Sequence, residues 1–114
     1  MDSTRKKELQ SQYIQREIVG GVYIMRNIQN NKILLDASTD ISGSKNRFEF
    51  AQKTGSCVNP KLQKDWAAYG HDQFTFEVLD ELKKGEAQTQ EEFKTDIGLL
   101  KEIWREKLTN EDFY

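Results

Sequence analysis

Two runs of branched and aromatic residues, GVYIMRN over 21–27 and KILLDAS over 32–38, enclose the polar link IQNN. Strand-favouring side chains on both sides of an Asn-rich connection are the composition of a β-hairpin. No other stretch restricts the fold as strongly, and the remaining segments are read as partners for this pair.

Before the hairpin, STRKKELQSQYIQ places Leu9 and Tyr13 four apart, with Ile14 alongside, among good helix formers, which predicts an amphipathic helix over about 4–16. After it, STDISGSKNRFEFAQK begins with small polar residues and predicts a short helix carrying Arg47, Phe48 and Phe50. In NPKLQKDWAAYG, Asn59 can cap a helix, Pro60 suits its first position and Gly70 suits a left-handed residue just past its end. Leu62, Trp66 and Tyr69 then form one apolar face. QFTFEVLDEL alternates Phe74, Phe76 and Val78 against Thr75, Glu77 and Leu79, a third strand with one strongly apolar face. Thr89 and Glu92 have capping-box spacing, and Phe93, Ile97, Leu100, Trp104 and Leu108 follow at helical intervals, giving the longest helix.

The expected order is therefore α-β-β-α-α-β-α, an α+β domain with a small, mostly antiparallel three-stranded sheet flanked by helices. A chain of 114 residues has room for one such core, taken as a single domain over 1–114 with its centre at about 20–108. The single Cys57 excludes an internal disulfide, and no run of about 18 apolar residues suggests a membrane span. The default compartment is the cytoplasm.

The net charge of −2 gives no bulk attraction to nucleic acid. It conceals an asymmetry. Residues 1–60 hold nine basic against six acidic side chains, or +3, and residues 61–114 hold eight against thirteen, or −5. An anionic ligand should therefore meet the first half, where Arg26, Lys32, Lys45, Arg47 and Lys53 are the candidate nucleic-acid contacts. Trp66 and Trp104 lie on apolar helix faces and read as core residues rather than stacking platforms.

The hairpin, an arginine on the next helix and the run NPKLQKDWAAYGHDQFTFEVLDEL together resemble the GIY-YIG nuclease superfamily over roughly residues 20–108. Gly21, Val22 and Tyr23 match the first signature triplet, and residues 32–38 occupy the strand of the second. The resemblance implies hydrolysis of a DNA phosphodiester with one divalent metal, Mg2+ or Mn2+. It assigns Tyr23 to water activation or general-base work, Arg47 to the scissile phosphate and Glu102 to the metal, with Asp96 and Glu106 as competing placements. These residue types suit the reaction: a guanidinium and a divalent cation stabilise charge on phosphate oxygens, and magnesium prefers carboxylate oxygen. A phenol with an ordinary pKa of about 10 needs a nearby cation to act as a base at neutral pH.

The departures are equally informative. Leu34 stands where the second tyrosine belongs and has no hydroxyl. Asp36 replaces the following glycine and would repel phosphate unless a cation such as Arg47 paired with it. Three readings remain open: a nuclease-like domain with impaired cleavage that acts in nucleic-acid binding or interaction, an active metal-dependent DNA endonuclease in which Asp36 has a new role, and a protein-binding or regulatory domain using the acidic half and the tail Asp112-Phe113-Tyr114.

Overall fold

The computed structural model describes residues 18–114, so the helix expected over about 4–16 lies outside the described residues. Strands β1 (Val19–Asn27) and β2 (Ile33–Ser38) form the hairpin. They are followed by helix α1 (Ile41–Thr54), a 3-10 turn over Pro60–Leu62, helix α2 (Gln63–Tyr69), a second 3-10 turn over His71–Gln73, strand β3 (Phe74–Lys83) and helix α3 (Gln90–Lys107). The sheet is antiparallel throughout, with strand order β2-β1-β3.

The asparagines close the hairpin themselves. Asn27 Oδ1 accepts from the Gln29 amide at 2.9 Å and Asn30 Oδ1 from the Lys32 amide at 3.0 Å, while Asn31 takes a positive φ of 62°. Asparagine tolerates that region because its short polar side chain compensates locally. The hairpin register opposes Tyr23 to Asp36 and Met25 to Leu34. At the strand's start the chain needs glycine for space: a Cβ on Gly20 would lie 2.6 Å from the Ser38 carbonyl oxygen.

Alternation along β1 and β2 divides the core between two faces. Tyr23, Met25 and Leu34 pack with Phe48 of α1, Trp66 of α2 and Phe74 of β3. Val22, Ile24, Ile33 and Leu35 point the other way and meet Leu100, Trp104 and Leu108 at the α3 side. Each face buries enough apolar surface to hold its helices, at roughly 25 cal/mol per Å² removed from water.

Strand β3 departs from simple alternation. Val22 opposes Asp80 and Tyr23 opposes Val78, so Leu79 is an inserted residue at a β-bulge. Leu79 packs against the Val22 face, and Val78, expected on the apolar face with Phe74 and Phe76, is 42% exposed. The helix ends follow their caps. Asp40 accepts from the Gly43 amide to start α1, and Thr89 and Glu92 form both halves of a capping box at α3. Asn59 caps the 3-10 turn that leads into α2, and Gly70 ends α2 at φ 99° and ψ 146°, an extended positive-φ conformation rather than the left-handed helical one expected.

Candidate functional site

Strand pairing positions the first candidate group. Tyr23 is 6% exposed, stacks on Phe76 with ring centroids 4.5 Å apart, and its hydroxyl donates to Asp36 Oδ2 across the hairpin at 3.4 Å. The other oxygen, Asp36 Oδ1, accepts from the Ala37 amide at 2.8 Å and faces Lys101 Nζ of α3 at 3.6 Å. Since α3 covers the opposite face of the sheet, this ion pair runs round the outer edge at β2. Asp36 thus has its cation from Lys101 rather than from Arg47.

The Tyr23 phenol is pushed up to about 12, first by burial and then by the negative charge of Asp36; the Ser44 hydroxyl and the Arg47 charge oppose this without cancelling it. At neutral pH only about one in 10^5 such groups is ionised. A proton acceptor works best when its pKa lies near the working pH, so this phenol is a poor base as it stands.

Arg47 and Ser44 lie one turn apart on α1. The Arg47 Nη2 donates to Ser44 Oγ at 3.1 Å, and the guanidinium has no carboxylate partner among the described residues. Its side chain is exposed, as are those of Lys45 and Lys53 on the same helix. The other two candidate nucleic-acid contacts lie at the hairpin tip and are engaged. Arg26 Nε pairs with Glu77 at 2.9 Å, its Nη1 approaches Glu111 at 3.9 Å, and Lys32 Nζ sits 5.6 Å from the Tyr114 ring centroid. The five basic residues therefore separate into three on α1 without a carboxylate partner among the described residues and two at the tip, of which Arg26 is paired with acids and Lys32 lies over an aromatic ring.

Leu34 is buried in the Tyr23 cluster, where a hydroxyl would have needed a partner. Glu102 is exposed on α3 and faces Arg105 Nε at 3.6 Å. Asp96 accepts from Gln88 Nε2 at 2.6 Å near the start of the same helix. Lys101 is thus the α3 residue that reaches the Tyr23–Asp36 pair. Its sequence signal was available: it stands four residues after Ile97 and one after Leu100, at the flank of the apolar stripe, whereas Glu102 is rotated away from it.

Among the described residues, no three His, Cys, Asp or Glu side chains gather at one place. Glu102, to which the resemblance assigns the metal, faces the Arg105 guanidinium, and Asp36 beside Tyr23 faces the Lys101 ammonium, so a divalent cation at either carboxylate would meet like charge and neither fits the metal that the resemblance implies.

No family model matches this chain, and no curated protein matches it at a significant level. Two solved structures do. One is the catalytic domain of the intron endonuclease I-TevI in a glutamate-to-alanine mutant, with TM-score 0.57 and 22% identity, covering 81% of this chain and 86% of that one. The other is the catalytic domain of the homing endonuclease I-TevI, with TM-score 0.56 and 21% identity, covering 82% and 96%. The chain thus has a GIY-YIG-like fold. Among the described residues, no helix is long and apolar enough to cross a membrane.

Proposed function

We propose that this domain keeps a nuclease scaffold but has lost metal-dependent DNA cleavage, and that it works by contacting nucleic acid through α1. The observation that carries this reading is the Lys101–Asp36–Tyr23 chain, in which a lysine ammonium faces the carboxylate bonded to the phenol. The phenol keeps its proton, and Asp36 turns negative charge toward the place where a phosphate would lie. Arg47, Lys45 and Lys53 retain the capacity to bind phosphate because, among the described residues, no acidic side chain pairs with them. The lone Cys57 suits a reducing compartment such as the cytoplasm.

Glu102, which the resemblance implies as a metal ligand, is in this reading a surface residue paired with Arg105. The test is cleavage of supercoiled plasmid by the purified chain with magnesium or manganese, beside Tyr23→Phe and Glu102→Ala. All three proteins should be equally silent, while Lys45, Arg47 and Lys53 support salt-sensitive DNA binding. Nicking by the parent that disappears in Tyr23→Phe would overturn the proposal and assign Asp36 a working role in an active endonuclease. DNA binding that is absent at low salt would remove the second half of the reading.

A further inference from the structure

Beside Arg47, α1 and the segment after it enclose an open pocket of about 450 Å³. Phe50, Ala51, Cys57 and Val58 form its apolar lining, and Asn46, Arg47 and Ser56 contribute its polar groups. Phe50 is 67% exposed, the largest exposure among the big hydrophobic side chains described, so the core gives no reason for an aromatic residue there. Helical spacing places Arg47 three residues before Phe50 and Lys53 three residues after it, and neither cation has a carboxylate partner among the described residues. The ring is thus bracketed by two available positive charges along one stripe of the helix.

We propose that this pocket takes an unpaired nucleobase of a single-stranded nucleic acid. One base stacks on Phe50, the amide of Asn46 and the hydroxyl of Ser56 meet polar atoms on its edge, and the flanking phosphates lie against Arg47 and Lys53. Stacking on an aromatic face with cations following the backbone is the physical basis of single-strand binding. The volume suits a single nucleotide unit, within the size range of small-ligand sites. A duplex presents phosphates and base edges but no free base face, and so would use the cations without Phe50. This inference rests on the nucleic-acid reading above and specifies its ligand.

The experiment is fluorescence anisotropy with a labelled oligo-dT strand and a duplex of equal length, at low and moderate salt, using the intact chain. The parent should prefer the single strand. Replacing Phe50 with Ala should weaken single-strand binding about tenfold and leave duplex binding unchanged, in keeping with the contribution of one stacked base. Replacing Arg47 with Ala should weaken both. Cys57 is the sole cysteine, so the oligonucleotide should also slow its alkylation by N-ethylmaleimide, and the alkylated protein should bind the single strand as poorly as the Phe50→Ala variant. A Phe50→Trp variant should retain binding, with its added indole fluorescence quenched by the strand. If both nucleic acids bind but Phe50→Ala changes neither affinity, the pocket proposal is overturned and the wider reading survives. If neither binds to any of the proteins, both fall.

Discussion

Two tyrosines each meet an aspartate, at opposite ends of the hairpin, and they are held by different forces. Tyr23 reaches Asp36 at 3.4 Å, a long contact whose acceptor depends on a lysine from another element. Tyr114 donates to Asp65 at 2.7 Å, accepts from Asn27 Nδ2 at 3.1 Å, and Asp65 accepts also from Asn30 Nδ2 at 3.2 Å. The second set is short and mutually satisfied around Asn27, which is fully buried. Tyr23 is therefore fixed by packing, with its hydroxyl nearly idle, whereas Tyr114 is fixed by hydrogen bonds. In this molecule the well-made polar network fastens the tail, and the former candidate for chemistry has the poorer one.

The largest test of that contrast is deletion of Asp112–Tyr114, which removes the network and two backbone bonds to Ile33. Urea unfolding should show a loss of about 2–4 kcal/mol, since the buried Asn27, the partly buried Asp65 and the Ile33 backbone lose partners together; an unchanged midpoint would end the distinction. Next, Asn27→Ala should cost about 1–3 kcal/mol by leaving the Tyr114 hydroxyl and the Gln29 amide without their partner.

The pH response separates the two ends further. The Tyr114 hydroxyl has the largest effect and holds Asp65 below the usual carboxylate range; burial, next in size, opposes it, and the Asn30 amide adds a smaller lowering. Stability from this carboxylate is present above its ordinary pKa and lost as pH falls through the depressed value, and Tyr114→Phe should flatten that acid limb. Tyr23, raised from 10.0 to about 12, works in the opposite direction: its contribution is intact below about pH 10 and is lost as pH rises towards 12. Phenolate absorbance should contain a component titrating near 12 that disappears in Tyr23→Phe. The smallest effect belongs to that same variant at neutral pH, within about 0.5 kcal/mol of the parent by urea unfolding, because a 3.4 Å contact contributes little.

Much of the scaffold was legible because its signals are local. The alternation of GVYIMRN and KILLDAS, the asparagine turn, the Thr89–Glu92 box and the stripe from Phe93 to Leu108 each declare an element over a few residues. The bulge was not legible, since Val78 and Leu79 are both apolar and either could face the core. In the site, Tyr23 and Asp36 were each singled out on their strands, but the register that opposes them was not read from the sequence. The ion pair at Lys101 was legible only in part: the lysine's place at the flank of the α3 stripe is a local signal, but its meeting with Asp36 depends on how α3 packs against the sheet. The union of Tyr114 with Asn27 and Asp65 joins positions far apart in the chain, and no local pattern encodes it.

The tail's hold on the sheet has a kinetic consequence. On the outer side of β2 the Ile33 amide donates to the Asp112 carbonyl at 2.8 Å and the Ile33 carbonyl accepts from the Tyr114 amide at 2.9 Å, with Phe113 opposite Ile33 in a single parallel bridge. The Ile33 amide therefore depends on the tail alone, while those that pair with β1 depend on the hairpin. Hydrogen exchange at that one amide should report local opening of the tail, faster than exchange within β1 and at a lower free energy than global unfolding. The same opening uncovers part of a strand edge, so any condition that speeds exchange at Ile33 should also raise the chain's tendency to pair with copies of itself.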